Sequence, residues 1–422
     1  MTAVTIIGGG LAGCEAAWYL AERGVQVTLY EMRPTLSSPA HTSPNLAELV
    51  CSNSLKSDSL DTAAGLLKAE LRHYGSMLMA VAEECKVPAG SALAVDRELF
   101  ALKATQKIES HPNIKVVREE ITTLPEGLAI IACGPLASNA ISESIQAVTG
   151  GGLAFVDAIS PVISADSIDF NIGYFAGRYD KGGDDYLNLP LSKEQYNSFY
   201  DALVSAETVK AHEFEDVSVF ERCMPIEVIA SRGKETLLYG PMRPVGLRDP
   251  RTGEVPFAVV QLRLENQERT AFNIVGFQTK MTMPAQKRVL QMIPGLENAE
   301  FLRYGTIHRN TYIDAPTHLN SNLSLKSLPN IFMAGQITGV EGYLESMASG
   351  MIAAMQICAT EPVEFSPFTA FGALQRHTRG EFGDTYLPGN FHFGMLPPLE
   401  KRVKKKADRK AEYSKRAMEV LA

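Results

Sequence analysis

Two of the six cysteines in this chain of 422 residues have polar neighbours that could activate a thiol. Cys51 begins the polar run CSNS at a predicted helix start, where a capping side chain and the helix dipole would lower the pKa of the thiol. Cys223 directly follows Arg222 and lies two residues before Pro225, which ends regular structure. Either cysteine could act as a thiolate nucleophile, and for each the alternative is a structural thiol.

The other four cysteines carry no such signal. Cys14 and Cys358 fall on apolar helical patterns and Cys133 ends an apolar strand pattern, so we predict that these three lie in the core. Cys85 has no distinguishing context. The sequence has no CxxC pair and no histidine at zinc-ligand spacing from a cysteine, which predicts no metal site.

A glycine-rich turn near the N-terminus predicts a nucleotide site. A strand pattern at Val4–Ile7 and a helical pattern at Cys14–Ala21 flank the turn, which reads Gly8, Gly9, Gly10, Leu11, Ala12, Gly13. Glycines at this spacing allow a tight turn, close approach of the backbone to a pyrophosphate, and close packing of helix on strand. A second strand pattern, Val25–Tyr30, ends at Glu31, which can accept a hydrogen bond from a ribose hydroxyl. A dinucleotide site is therefore predicted, against the alternative of a structural glycine turn.

Two features favour FAD as the dinucleotide. The second strand is followed by Glu31 and Arg33 in the pattern usual for FAD-binding members of this fold. Far downstream, an apolar strand pattern runs into Gly335 and Gln336. In two-part FAD folds a late strand of this kind contacts the ribityl chain, so these residues are predicted to hold the cofactor; the alternative is an unrelated loop-rich turn.

The helical pattern after this late strand extends to about Cys358 and contains Gly350. Its N-terminus would direct a positive dipole end towards the flavin ring, which makes Gly350 a further candidate for cofactor binding. Tyr343, at the start of the pattern, could stack on the flavin or another flat ligand, or simply pack.

The elements that would position these residues predict an α/β fold. A strand pattern at Ala129–Cys133 continues the parallel sheet, whereas short strands and Gly/Pro turns dominate from about residue 160. Short strands and Gly/Pro turns of this type are predicted at residues 178–183, 237–247 and 258–263. We therefore predict a Rossmann-like FAD-binding domain in two parts, residues 1–165 and 300–422, with an inserted α+β domain at residues 166–299. Residues 48–56 are predicted to enter a helical stretch that contains residues 65–68.

The charge balance at first argues against nucleic acid, because 48 acidic residues outnumber 40 basic ones. The C-terminal segment Lys401–Ala422 reverses this balance, with nine basic against three acidic side chains. A basic helix there could bind a polyanion, and the alternative is a solvated helix face. The sequence shows neither a secretory signal pattern nor a long apolar run, so we expect a cytoplasmic protein with no membrane partner.

Several long blocks of sequence resemble one family closely. They include GGGLAGCEAAW, LYEMRP, AELVCSNSLKS, CMPIEV, YGPMRPVGL and MAGQITGVEGYLESMASG. These blocks are similar to those of the bacterial folate- and FAD-dependent tRNA (uracil-5-)-methyltransferases, and the similarity spans essentially the whole chain. The related GidA (MnmG) family shares the FAD motif, modifies the wobble uridine instead, and carries a long C-terminal helical domain for which this chain has no room.

The resemblance implies an activity that uses both cysteines. 5,10-Methylenetetrahydrofolate would supply one carbon, reduced FAD the electrons, and NADH or NADPH would reduce the flavin, giving 5-methyluridine at position 54 in the T-loop of tRNA. By similarity, Cys223 attacks carbon 6 of uracil and Cys51 removes the proton from carbon 5. The target uridine must be exposed or flipped, with the basic tail and basic residues of the insertion contacting the tRNA. No protein partner is inferred.

Three other functions are open on the sequence. The first is a flavin-dependent oxidoreductase of a small molecule in which the cysteines are structural. The second is a GidA-like modification of the wobble uridine, and the third is a non-catalytic FAD protein that remodels tRNA.

Overall fold

The computed structural model of the chain describes residues 3–38, 40–151, 153–180, 183, 185–209, 218–219, 224–401 and 403–421. The strands of this part are β1 (Ala3–Ile7), β2 (Gln26–Tyr30), β3 (Ser54–Ser57), β4 (Lys86–Val87), β5 (Ala92–Val95), β6 (Ile114–Val117), β7 (Ala129–Ile131), β8 (Leu153–Ala158), β9 (Val162–Ser164), β10 (Tyr174–Phe175), β11 (Tyr186–Leu191), β12 (Ser218–Val219), β13 (Ala258–Leu264), β14 (Ala271–Ile274), β15 (Phe301–Arg303), β16 (Ile307–Tyr312) and β17 (Ile331–Met333). The α-helices are α1 (Leu11–Ala21), α2 (Ala63–His73), α3 (Met77–Glu84), α4 (Arg97–Ser110), α5 (Asn139–Thr149), α6 (Lys193–Val204), α7 (Ile226–Ser231), α8 (Met283–Leu290), α9 (Ala315–His318), α10 (Tyr343–Cys358), α11 (Ala370–Thr378) and α12 (Lys406–Leu421).

Five parallel strands form the main sheet in the order β17-β7-β1-β2-β6. Their side chains are largely apolar and buried, as expected for a parallel sheet with helices on both faces. β1 from the start of the chain and β17 from its last third flank β7 in this sheet. The two ends of the chain therefore build one unit, which confirms the predicted α/β, Rossmann-like fold with an insertion between its two parts.

Two glycines allow close packing beside this sheet, one where α10 approaches α1 and one where α1 approaches the turn after β1. A Cβ atom on Gly350 of α10 would lie closer than 3.0 Å to the carbonyl oxygen of Ala12 in α1. A Cβ atom on Gly13 would likewise collide with the carbonyl oxygen of Gly8. These two glycines are therefore required by packing alone.

A second sheet of six strands has the order β10-β11-β13-β14-β9-β15. One face is apolar and packs on α6, α7 and α8. The opposite face carries buried polar side chains at alternate positions of β13, Gln261 and Arg263, with Asn188 on β11 and Asn273 on β14 beside them. This sheet spans Val162–Arg303, and the domain boundaries at residues 166 and 299 stay predictions. Two three-stranded sheets, β12-β8-β16 and β3-β5-β4, complete the fold.

Two local predictions were correct only in part. The helix predicted to contain residues 65–68 is present as α2, but it begins at Ala63. Residues 48–56 do not begin a helix, because the polar run after Cys51 forms a loop and then β3; Asn53 donates to the carbonyls of Val95 (3.0 Å) and Leu264 (2.8 Å) instead of capping a helix. Residues 237–247 contain no strand but a 3₁₀-helix, at Thr236–Tyr239, followed by turns. Prolines in this segment have no N–H to donate to a sheet.

The basic C-terminal segment contains α12, which packs against α2 through its less polar face. Ala417 is fully buried, Tyr413 stacks on Phe393 with ring centroids 5.6 Å apart, and the hydroxyl of Ser414 donates to the carbonyl of Leu60. Arg416 donates to the carbonyls of the two prolines at 397 and 398 (2.6 and 2.9 Å).

In the part of the chain described, no helix is long and apolar enough to cross a membrane.

Candidate active site

A cleft opens at the carboxyl ends of the parallel strands, where ligands bind in open α/β sheets. Residues that follow four of these strands line it: Gly8 after β1, Glu31 after β2, Ala132 after β7 and Gly335 after β17. The empty space in this cleft, open solvent included, is about 980 Å³.

Three helix N-termini point at this cleft. Gly10 precedes α1, Ser138 precedes α5 and Tyr343 begins α10, and all three residues line the cleft. No side chain caps any of the three helices. The hydroxyl of Ser138 is buried and has no hydrogen-bond partner among the described residues. Uncapped N–H groups and positive dipole ends favour an anionic ligand, such as a pyrophosphate.

Gly10 differs from its neighbours in the glycine turn. A Cβ atom on Gly9 would collide with the side chain of Leu46, but one on Gly10 would meet no atom of the described residues within 4 Å. The backbone of Gly10 is extended, with φ −76° and ψ −169°, a conformation open to any residue. Neither packing nor backbone strain therefore explains this glycine, and the space above it fits a ligand that touches the main chain.

The carboxylate of Glu31 lies at the cleft but also stabilises the turn. It accepts hydrogen bonds from the N–H of Gly9 (2.9 Å) and from the main-chain N–H (3.0 Å) and Nε (2.8 Å) of Arg33. Burial alone would raise the pKa of Glu31, but the hydrogen bonds and charge of Arg33 outweigh burial and hold it below the usual value. Arg33 is almost fully buried and also pairs with Glu48 (2.9 Å), so its guanidinium orients Glu31.

Cys51 is not one of the residues that line the cleft, but it adjoins two that do, Val50 and Tyr343. The phenol oxygen of Tyr343 accepts hydrogen bonds from the N–H groups of Cys51 (2.7 Å) and Ser52 (3.0 Å), and Val50 lines the cleft itself. Burial raises the pKa of the Tyr343 phenol, followed by the effect of Cys51, so this group stays protonated. The sulfur of Cys51 is half-buried and lies 3.8 Å from the carbonyl oxygen of Ala158.

Three arginines that the sequence reasoning missed surround this loop. Arg97 at the start of α4 donates to the carbonyl of Leu49 (2.8 Å), and Arg303 on β15 donates to that of Val50 (3.3 Å). Arg263 on β13 donates to the side chains of Ser52 and Asn53, each at 2.9 Å. The only sequence signal for Arg263 was the alternation of Gln261, Arg263 and Glu265 in an otherwise apolar strand. The cationic side chains that contact the loop around Cys51 thus come from elements distant in sequence, and no helix begins there.

Of the other predicted site residues, some line the cleft, some lie away from it, and one is outside the described part of the chain. Gly335 has φ +82° and its N–H donates to Ser349 (3.0 Å), while the amide of Gln336 donates to Glu341 (3.0 Å). Leu11 and Ala12 line the cleft, whereas Gly9, Gly13 and Gly350 do not. Cys223 lies outside the described residues.

We predicted that Cys14, Cys133 and Cys358 lie in the core, and the structure confirms this for Cys14 alone. Cys14 is fully buried, whereas Cys133 is only half-buried and lines the cleft. Cys358 is exposed, because it is the last residue of α10 and the chain leaves the core there.

Comparisons with known proteins place the chain in a family. A model of the family described as "Glucose inhibited division protein A" matches residues 3–360. A protein of Geobacter sulfurreducens named methylenetetrahydrofolate–tRNA-(uracil-5-)-methyltransferase TrmFO is 56% identical over 425 residues, covering 99% of this chain and 98% of that protein. The protein of the same name from Natranaerobius thermophilus is 52% identical over 424 residues, again covering 99% and 98%. The chain belongs to the TrmFO family.

The resemblance read from the sequence is thereby confirmed. Membership of the TrmFO family also agrees with the fold. The structure of Aquifex aeolicus GidA superimposes with a TM-score of 0.68 at 15% identity, covering 99% of this chain and 76% of the other. At that identity the likeness shows a shared fold.

Proposed function

We propose that this protein methylates carbon 5 of uridine 54 in the T-loop of tRNA, with 5,10-methylenetetrahydrofolate as the one-carbon donor and reduced FAD as the reductant. The observation that carries the proposal is the position of Cys51, which is hydrogen-bonded to a lining residue, Tyr343, of a cleft on which three uncapped helix N-termini converge. Family membership supports the choice of reaction. A tRNA substrate and reduced thiols both fit a cytoplasmic enzyme.

The residues of the cleft fit FAD. The N-terminus of α1 and the open backbone of Gly10 would hold the pyrophosphate, and Glu31 retains acceptor capacity for a ribose hydroxyl. Gly335, Gln336 and the N-terminus of α10 would border the ribityl chain and the ring. When bound, reduced FAD supplies the electrons that convert the transferred methylene to methyl, and NADH or NADPH would reduce it again.

The two cysteines perform the remaining chemistry in this proposal. The thiolate of Cys223 adds to carbon 6 of uracil, which places negative charge on the O4 side and lets carbon 5 attack the methylene of the folate. Cys51 takes the proton from carbon 5, and tetrahydrofolate leaves. As the methylene on carbon 5 becomes methyl, the bond between carbon 6 and Cys223 breaks and the thiolate is released. Tyr343 supports this step by holding the backbone of Cys51 at the cleft.

Exposed cations of the C-terminal segment support tRNA as the partner. The exposed cations are Lys404, Lys405, Lys406 and Arg409. Arg416, in contrast, already forms hydrogen bonds that hold α12 in place. Phosphate contacts from such side chains would offset the cost of exposing a base in the folded elbow of tRNA, about a few kcal/mol.

The test is methylation of an unmodified tRNA transcript by the purified yellow protein, with methylenetetrahydrofolate and NADH or NADPH. We expect one methyl group, mapped by mass spectrometry to uridine 54, and none on a transcript with cytidine at that position. A methyl group at the wobble position, or none with rapid flavin turnover on small substrates, would refute the proposal.

The roles of the cysteines are tested with RNA that contains 5-fluorouridine at position 54. Fluorine replaces the proton that Cys51 removes, so the addition by Cys223 should leave a covalent protein–RNA complex. Cys223→Ser should abolish this complex, whereas Cys51→Ser should still form it but lose methylation of ordinary tRNA. A complex formed by Cys223→Ser would exclude Cys223 as the nucleophile.

A further inference from the structure

Three consecutive residues of the loop around Cys51 are held by hydrogen bonds from two distant parts of the chain. The N–H groups of Cys51 and Ser52 donate to the phenol oxygen of Tyr343, at 2.7 and 3.0 Å. The side chains of Ser52 and Asn53 accept from Arg263, each at 2.9 Å. Tyr343 thus fixes the main chain of the loop, and Arg263 fixes the two side chains that follow the cysteine.

Arg263 uses two different nitrogen atoms for these contacts. Its Nε atom donates to Oδ1 of Asn53 and its Nη2 atom donates to Oγ of Ser52, so the planar guanidinium bridges two neighbouring side chains. The Oγ atom of Ser52 also accepts from the N–H of Ser54 at 3.2 Å. A guanidinium is a rigid fork that sets the direction of both acceptors, whereas a lysine ammonium is a single charge on a flexible stem.

The strand that carries Arg263 is itself anchored to the first part of the chain. Asn53 donates to the carbonyl of Leu264 (2.8 Å), and Glu265 pairs with Arg97. Arg263 is only 6% exposed, which leaves its side chain little freedom. A group that orients another must have its own position fixed by packing and hydrogen bonds, and Arg263 meets this condition.

Stability of the fold does not by itself require a guanidinium at this position. Both hydrogen-bond partners of Arg263 on the loop are uncharged, and no carboxylate lies within 4.0 Å of its nitrogen atoms in the part of the chain that the structure describes. A buried charge without a counter-charge costs stability. An uncharged side chain would fill the same place in β13 at lower cost, so the fork fits a role in placing the loop.

We propose that Arg263 is a positioning residue for Cys51: by holding Ser52 and Asn53, it fixes the direction in which the Cys51 side chain leaves the loop. This inference rests on the proposed function, in which Cys51 removes the proton from carbon 5. Misplacing a reacting group by about 1 Å can cost about 100-fold in rate. The inserted sheet therefore sets the geometry of a residue that belongs to the first part of the FAD-binding domain.

The experiment compares two substitutions of Arg263 with a matched control. Arg263→Lys keeps the charge but loses the fork, and Arg263→Met loses both. The control is Arg178→Lys, because Arg178 donates to Gln261 of the same strand (3.0 Å) and to the carbonyl of Val245 (2.8 Å) instead of to the loop.

Two measurements are made on each variant. The first gives kcat and KM for unmodified tRNA at saturating methylenetetrahydrofolate. The second does not depend on activity: it follows hydrogen exchange at the N–H groups of Cys51 and Ser52 by mass spectrometry of the resting flavoprotein, without tRNA or folate.

Both Arg263 variants should lower kcat about 10- to 100-fold and leave KM for tRNA unchanged. Exchange at Cys51 and Ser52 should be about tenfold faster, because the loop loses hydrogen bonds from a charged donor. The covalent complex with 5-fluorouridine RNA, which depends on Cys223, should form as in the wild type. Arg178→Lys should match the wild type in kcat, KM and exchange.

A wild-type kcat in Arg263→Lys would overturn the inference, because the charge alone would then suffice. A higher KM with an unchanged kcat would overturn it too, as would wild-type exchange at Cys51 and Ser52. If Arg263→Met does not fold, the kcat and the exchange of Arg263→Lys decide.

The acceptor side of the contact gives an independent check. Ser52→Ala alone should lower kcat, but it should add little further loss to Arg263→Met, because the hydrogen bond is already absent there. Losses that multiply in the double variant would show that the two residues act separately, against the inference.

These outcomes are separate from failure of the proposed function. A protein that methylates no tRNA, but whose Arg263 variants show faster exchange at Cys51 and Ser52, would refute the proposed function and retain the effect of Arg263 on the loop. Methylation of uridine 54 with a wild-type kcat in Arg263→Lys would do the reverse.

Discussion

Replacing Gly10 and Gly350 by alanine separates the glycine that a ligand requires from the glycine that packing requires. A methyl group on Gly10 would meet no atom within 4 Å in the part of the chain that the structure describes, and the backbone conformation of Gly10 suits alanine. Gly10→Ala should therefore leave the stability of the protein without FAD unchanged, or raise it by about 0.4–1 kcal/mol through the unfolded chain. A methyl group on Gly350 would collide with the main chain of Ala12, which is overpacking and costs about 1–3 kcal/mol.

The expected shifts in melting temperature follow from the size of the chain. An unfolding entropy of about 2.1 cal/mol/K per residue gives about 0.9 kcal/mol/K for 422 residues. Gly350→Ala should thus lower Tm by about 1–3 °C with or without FAD. Gly10→Ala should change the Tm of the FAD-free protein by no more than about 1 °C.

The effect of Gly10→Ala should appear in the affinity for FAD. If the methyl group keeps a pyrophosphate oxygen from one N–H donor, the loss of that charge-assisted hydrogen bond costs about 1.5–3 kcal/mol. This is a roughly 10- to 150-fold increase in Kd. The assay is reconstitution of the flavin-free protein followed by flavin fluorescence, with differential scanning calorimetry of both forms. Gly127→Ala, exposed and equally free of neighbours, is the control. A wild-type Kd in Gly10→Ala would refute the assignment of this cleft to FAD.

Two further predictions concern the tail and a buried acid. Replacing the lysines of Lys404–Lys406 by glutamine should weaken tRNA binding and reduce the slope of log K against log salt by about 2–3, while leaving FAD bound; Lys415→Gln, whose ammonium lies near Glu419, should have less effect, and equal salt slopes would make the tail a solvated face. Glu70 is fully buried and accepts from the main-chain N–H groups of Ala370 and Phe371, and burial raises its pKa to about 7. Above the ordinary pKa of 4.5, the folded state then binds more protons than the unfolded state. The contribution of Glu70 to the free energy of unfolding should therefore fall as the pH rises from 5 to 8, by at most about 1.4 kcal/mol per pH unit. Tm measured across this range should therefore fall more steeply in the wild type than in Glu70→Gln, and parallel curves would contradict the reasoning.

The sequence by itself determined the parts of this protein whose chemistry is local. The strand, glycine turn and helix at the N-terminus, Glu31 after β2 and the late strand before Gly335 all depend on spacings within a few residues. Backbone geometry at a turn and apolar periodicity are properties of short windows, so the α/β fold could be predicted with its two-part sheet. The family resemblance added the reaction, which no local pattern contains.

The tertiary structure alone decided the surroundings of Cys51. The polar run after Cys51 is typical of a helix start, yet Asn53 donates hydrogen bonds to β5 and β13. Arg97, Arg263 and Arg303, which are distant in sequence, donate hydrogen bonds to the same loop. Contacts between residues far apart in sequence leave no periodic signal, and a buried charge is satisfied by whichever group the fold brings near. For the same reason the sequence could not separate Gly10, which faces open space, from glycines that packing requires, because the motif is identical for both.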